Sequence, residues 1–139
     1  MKQGIEKGFS LIELLLVVVI IGIIAAIAIP SLVKAKESAE KGSTYSTMRI
    51  LSTQQVKFYS QNNRFGRIDE INNGQDLNLG TNTGNSFRRG NYVYTMNPAT
   101  PNDNDLKSEY RIIATRPGTN SAPPTVLEVA QNGQIIGIF

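Results

Sequence analysis

An apolar run near the N-terminus limits the fold more than any other feature of this chain. From Leu14 to Ile29 there are 16 consecutive uncharged residues, and residues 9–12 are also largely apolar. As one helix, residues 9–33 reach about 37 Å at 1.5 Å per residue, which is long enough to cross a bilayer. About 100 residues remain for a folded domain, enough for one modest core.

The composition argues against several classes of function. The chain has no histidine, which removes the commonest general base and the commonest metal ligand. It also has no cysteine, so neither a disulfide framework nor a thiolate metal site can form. The net charge is only +3, which does not indicate nucleic acid as the main partner. We therefore expect a protein that is not an enzyme and that carries no cofactor.

The N-terminus allows two ordinary interpretations. Lys2 and Lys7 precede the apolar run, and a small-residue site at Ala26–Ala28 is compatible with cleavage of a secretory signal peptide near Ala28. Alternatively, the run is a membrane anchor whose N-terminus lies in the cytoplasm, because the basic residues precede it. Neither interpretation explains Glu13, since a carboxylate inside a membrane helix costs about 2.5–3.5 kcal/mol and is usually kept for a purpose.

The segment Lys7-Gly8-Phe9-Ser10-Leu11-Ile12-Glu13, followed by the apolar run, closely resembles the processing motif of type IV pilins and type II secretion pseudopilins. The resemblance implies cleavage by a prepilin peptidase between Gly8 and Phe9, with N-methylation of Phe9. Ser10 occupies a position where threonine is more usual in this family.

The same resemblance assigns roles to three further residues. It implies that Glu13 pairs with the N-terminal amine of a neighbouring subunit and so sets the register of the filament. It also implies that the helix loosens on assembly between Gly22 and Pro30, because glycine weakens a helix and proline removes a backbone donor.

The rest of the chain predicts an α+β fold. Apolar residues at spacings of three and four continue the helix to about Asn62, and Gly42–Thr44 is expected to bend it. Asn72–Gly90 is predicted to be a surface loop. Four strands are then predicted at Tyr92–Met96, Glu109–Thr115, Thr125–Ala130 and Gln134–Phe139, with Asn132-Gly133 as a hairpin turn. We expect the second half of the long helix to pack on this antiparallel sheet of about four strands.

Two charged groups outside the helix are candidates for binding. Asp103, Asp105 and Glu109 offer carboxylates for calcium, although their spacing matches no EF-hand loop and a solvated loop is the preferred interpretation. The arginines of the predicted loops form a second group, a basic patch for DNA that is likewise less favoured than solvated side chains. They are Arg64, Arg67, Arg88 and Arg89.

These observations predict three segments: a leader at 1–8, a transmembrane and filament-core helix at 9–32, and a globular domain at 33–139. The predicted function is a structural subunit of a type IV pilus or a pilus-like filament. The expected partners are copies of the chain and related pilins, prepilin peptidase and the membrane assembly machinery. The subunit would lie in the inner membrane before assembly and on the cell surface afterwards. The alternatives are a periplasmic secretion pseudopilin and an exported soluble binding domain.

Overall fold

The computed structural model describes residues 8–74, 77–119 and 123–138, and the chain divides into two compact units, Met1–Ala39 and Glu40–Phe139. One long helix, α1, runs from Leu11 to Asn62, as predicted. At Gly42–Thr44, where the sequence predicts a bend, α1 continues without a break. Here the hydroxyls of Thr44 and Thr47 are satisfied inside the helix, because each donates to the carbonyl four residues earlier at 2.9 Å.

The remaining elements form an α+β unit whose sheet has six strands in chain order, each antiparallel to the next. The elements after α1 are helix α2 (Ile68–Asn73) and strands β1 (Thr81–Asn82), β2 (Ser86–Arg89), β3 (Tyr92–Met96), β4 (Arg111–Arg116), β5 (Thr125–Ala130) and β6 (Ile135–Ile138). The predicted fold class is confirmed, although the prediction of about four strands is two too few. Phe139, predicted to end the last strand, lies outside the described residues.

The core of the unit lies between the second half of α1 and one face of the sheet. Met48 and Leu51 from the helix are fully buried, and alternate residues of the strands meet them. On β3, β4 and β5 the buried residues follow the period of two expected for a sheet with one covered face. On the same helix Tyr45 is exposed, whereas its neighbour Thr44 is buried.

The predicted loop at Asn72–Gly90 is wrong in part, because it contains β1 and β2. Phe87 on β2 is fully buried and stacks on Tyr94 of β3, with ring centroids 4.5 Å apart and planes 4° from parallel. The buried amide of Asn72 holds the segment from the other side, since it accepts from the Leu79 N–H at 2.9 Å and donates to the Gly80 carbonyl at 3.2 Å. A side chain at Gly80 would lie 2.3 Å from the Arg88 carbonyl oxygen, so this approach requires glycine.

The hairpin joining β5 and β6 forms where Asn132-Gly133 predicts it. Gly133 has φ +71°, and its N–H donates to the Ala130 carbonyl at 2.9 Å. The side chain of Asn132 accepts from the Gln134 N–H at 3.0 Å. The turn therefore combines a left-handed glycine with an asparagine that bonds the backbone two residues on, as the sequence indicates.

Candidate assembly site at the N-terminal helix

The candidate site begins with three residues that precede α1. Gly8, Phe9 and Ser10 are not helical, and all three are exposed. The Ser10 carbonyl accepts the N–H groups of Glu13 at 3.1 Å and Leu14 at 3.2 Å, which starts the helix. The predicted cleavage point between Gly8 and Phe9 therefore lies in non-helical backbone, two residues before α1. Residues 1–7 of the predicted leader lie outside the described residues.

Glu13 has a local partner that the sequence analysis missed. Its Oε2 accepts the backbone N–H of Ser10 at 2.8 Å, and this contact is the glutamate half of a capping box. The pattern Ser-x-x-Glu before an apolar run is a known sequence signal for this cap, and it was present at Ser10–Glu13. In a single copy the carboxylate is therefore exposed and satisfies one backbone donor, while its predicted role in register stays a prediction.

The apolar first part of α1 is not covered by any other described residue of its own unit. The large apolar side chains from Phe9 to Val33 have exposed fractions between 48% and 83%. The most apolar stretch of α1 has a mean hydropathy of 3.2, and α1 meets the length and composition expected of a membrane-spanning helix. Exposed apolar surface of this extent indicates a membrane or another protein as its environment.

Gly22 and Pro30 both lie inside the unbroken helix. Pro30 removes one backbone donor, and the next residue, Ser31, donates its hydroxyl to the Ile27 carbonyl at 3.4 Å. A side chain built at Gly22 would meet nothing within 4 Å. Neither residue breaks α1 in the single chain, and loosening on assembly stays a prediction.

The three candidate calcium ligands do not come together. Asp103 accepts from the Arg67 guanidinium at 2.6 Å. Asp105 accepts the Asn102 N–H at 3.4 Å and belongs to a short 3-10 turn, Asp105–Lys107, while Glu109 follows that turn. Across the part of the chain that the structure describes, no three carboxylates converge on one point that could hold a metal ion.

The four arginines separate into two pairs. Arg64 and Arg67 lie just before α2. Arg64 forms an ion pair with Glu70, and Arg67 forms one with Asp103. Arg64 donates to both oxygens of Glu70, at 2.9 and 2.7 Å. Arg88 and Arg89 lie on β2, and both are exposed. Arg64 and Arg67 thus form ion pairs within the chain, which the sequence alone did not indicate.

Glu70 is the best-bonded carboxylate of this network, and it gives a prediction for pH. The hydrogen bonds from Arg64 lower the pKa of Glu70 despite its partial burial, and the Arg67 backbone N–H adds to the effect at 2.8 Å. A carboxyl with a lowered pKa stabilises the fold above its unfolded pKa, near 4.3, and this stabilisation is lost as the pH falls through the folded value.

We therefore expect Glu70→Gln to reduce the free energy of unfolding by about 1–2 kcal/mol at pH 7. The difference from the wild type should shrink steadily below about pH 4. Thermal unfolding of the full chain in detergent micelles between pH 2 and 8 measures both effects. Asp69→Asn is the matched control, because it removes the same charge one residue away. Equal losses from the two substitutions, or a difference independent of pH, would contradict the role of Glu70.

The sequence of the N-terminus matches a known family pattern. Residues 5–29 match the family model described as the prokaryotic N-terminal methylation motif. The chain carries this motif. It is 42% identical over 60 residues to the type IV major pilin protein PilA of Myxococcus xanthus, covering 43% of this chain and 27% of that protein. No solved structure matches the chain.

Two further relatives are type II secretion system core proteins G. The protein from Dickeya chrysanthemi is 33% identical over 65 residues, covering 47% of this chain and 42% of its own length. The protein from Aeromonas hydrophila is 29% identical over 97 residues, covering 67% and 66%. The predicted resemblance to type IV pilins and type II secretion proteins is confirmed, and the chain spans between 27% and 66% of the length of these three relatives.

Proposed function

We propose that this chain is a structural subunit of a type IV pilus or a pilus-like filament. In this proposal prepilin peptidase cuts between Gly8 and Phe9, the new terminus at Phe9 is methylated, and subunits polymerise through the apolar part of α1. The observation that carries the proposal is the exposed apolar helix that begins at Leu11, within the segment that matches the methylation motif. Burial of each bulky aliphatic side chain between packed helices would contribute about 1.5–3 kcal/mol.

The second candidate is a secretion pseudopilin with the same processing and the same helix. The matches to type II secretion system core protein G favour it. In either case the chain is not an enzyme, and it lies in the inner membrane before assembly. The assembled subunit would lie on the cell surface as a pilin, or in the periplasm as a pseudopilin.

The intact mass and N-terminal sequence of the protein from its native host test the processing step. We expect a chain that begins at methylated Phe9. A chain that begins near Ile29 would instead identify a conventional signal peptide cut after Ala28, and it would overturn the proposal. Electron microscopy of sheared cell surfaces then separates a surface filament from a periplasmic one.

Glu13 allows a test of how the subunits find their register. Its carboxylate and the Phe9 amine of a neighbouring copy would attract by about 4 kcal/mol at 4 Å with an effective dielectric constant of 20. We expect Glu13→Ala to be processed normally but to lower the yield of sheared filaments about tenfold or more, because the amine would be buried without a partner.

The local contact of Glu13 with Ser10 provides the control. Glu13→Gln keeps an oxygen that can accept the Ser10 N–H, but it carries no charge. If the charge sets the register, the glutamine variant should assemble as poorly as the alanine variant. Normal assembly of Glu13→Gln would show that capping of α1 is what matters and would contradict the charge pairing.

A further inference from the structure

Two exposed pairs of like charge in the unit Glu40–Phe139 lie towards opposite ends of strand β3. The chain enters β3 through Arg88-Arg89-Gly90-Asn91, and it leaves β3 into the connection from Asn97 to Tyr110. The five residues of β3 span about 17 Å at 3.4 Å per residue. Basic and acidic groups at these two ends therefore cannot neutralise each other within one copy.

The basic end is Arg88 and Arg89, which we call the β2 arginine pair. Arg88 is exposed, and its side chain makes no hydrogen bond or ion pair with any residue that the structure describes. The Arg89 side chain donates one long hydrogen bond, 3.4 Å to the Leu79 carbonyl. Glu40 lines a small hollow with Arg89, but its carboxylate already accepts from Asn91 at 2.9 Å and lies 4.0 Å from Arg116. The pair thus faces solvent with its charge largely uncompensated.

The acidic end is Asp105 and Glu109, which we call the β3–β4 carboxylates. Both are exposed, and within the described residues Glu109 has no side-chain partner. The one cation on the same turn, Lys107, donates to Asn104 at 3.2 Å. The other nearby cations are engaged elsewhere, since Arg67 binds Asp103 and Arg111 binds Glu128. Two carboxylates therefore remain available on the surface.

We propose that the β2 arginine pair of one copy binds the β3–β4 carboxylates of another copy. The two surfaces are different parts of the same chain, so the contact is heterologous, and such contacts build open helical filaments when they do not close into a ring. Exposed ion pairs of this kind contribute more to register and partner choice than to affinity, and salt screens them. This inference rests on the proposed function, since it assigns a contact within that filament.

Charge reversal tests the contact in the full-length chain expressed in its host. One variant carries Arg88→Glu with Arg89→Glu, and the other carries Asp105→Lys with Glu109→Lys. We expect each variant to lower the filament yield about tenfold, because like charges then face each other between copies. The chain that carries all four substitutions restores the original net charge and the complementarity, and it should recover the yield. Thermal unfolding of each variant checks that the subunit still folds.

Cross-linking tests the same contact independently of yield, because the natural chain has no cysteine. A chain with both Arg88→Cys and Glu109→Cys should form a ladder of covalent multimers when filaments are oxidised. Each single-cysteine chain should give no ladder. A disulfide within one copy is excluded, since it requires Cα atoms within about 7 Å.

The outcomes separate this inference from the proposed function. Recovery of yield by the fourfold variant, together with a ladder, supports the contact. Filaments that form normally from both reversal variants, or that form normally without a ladder, overturn the contact and leave the filament function in place. A wild-type chain that is never cut at Phe9 and never polymerises would overturn both.

Discussion

Replacing Phe87 with alanine is expected to reduce the free energy of unfolding by about 3–5 kcal/mol. The ring is fully buried, and it stacks on Tyr94 at the pairing between β2 and β3. Its removal would leave a cavity and would detach β2, the strand that carries Arg88 and Arg89. For a unit of this size the melting temperature should fall by about 12 °C or more. Near-ultraviolet circular dichroism of the full chain in micelles measures this loss.

Phe87→Leu is the matched variant, because it retains an apolar side chain and should lose only part of that stability. A cost below about 1 kcal/mol for Phe87→Ala would contradict the position of β2 in the core. That result would instead agree with the loop that the sequence predicts for Asn72–Gly90.

Gln55→Leu is expected to cost about 2–4 kcal/mol, although leucine has a similar size and is apolar. The side chain of Gln55 is fully buried, and it bonds both backbone groups of Gly66: its Nε2 donates to the carbonyl, and its Oε1 accepts the N–H, each at 2.8 Å. Leucine would leave that N–H and that carbonyl buried without partners, and each such group costs about 1–3 kcal/mol. Unfolding in urea measures the loss.

Hydrogen exchange gives a second and more specific measurement of the same contact. The Gly66 amide should exchange much faster in Gln55→Leu than in the wild type, because its acceptor is gone. Gln61→Leu is the control, since Gln61 is exposed on the same helix and the change should stay within about 0.5 kcal/mol. Unchanged exchange at Gly66 would contradict the role of Gln55 in holding the segment after α1.

The parts of the fold that could be predicted are those with a strong local signal. Spacings of three and four predict α1, and strict alternation predicts β3, where Tyr92, Tyr94 and Met96 are buried. The turn at Asn132-Gly133 is fixed by the chemistry of two residues. In each of these cases a few neighbouring residues determine the local structure, so it can be predicted without knowledge of the rest of the molecule.

The strands β1 and β2 could not be predicted because their support is not local. Phe87 is the one large apolar residue among the polar and small residues from Gly80 to Arg89, which is typical of a loop. The segment is ordered instead by Asn72, whose buried amide bonds it over seven to ten residues. In a sequence, asparagine usually indicates a turn. Only the folded structure shows that the Asn72 side chain is buried and bonds the segment that leads into β1.

The site was predicted unevenly for a similar reason. The methylation motif is a local pattern, so it can be recognised in the sequence. The capping box at Ser10–Glu13 is also local and could have been predicted in the same way. The arginines gave no such signal, because Arg67 finds Asp103 at a separation of 36 residues. Arg64 and Arg88 look alike in the sequence, yet one is held in an ion-pair network and the other faces solvent.

The order of the strands has a consequence for how this chain folds. Every strand after β1 pairs with the strand that precedes it, so the sheet can grow one strand at a time, and the longest loop to close is the connection from Asn97 to Tyr110. Contacts between close neighbours favour fast folding. Docking of the sheet on α1 is the long-range step, as in the 2.9 Å bond from the Tyr110 hydroxyl to Ser52, 58 residues away. In a chain that is synthesised from its N-terminus, the residues of α1 therefore emerge before those of any strand. Each new strand can then pack on a helix segment that is already present.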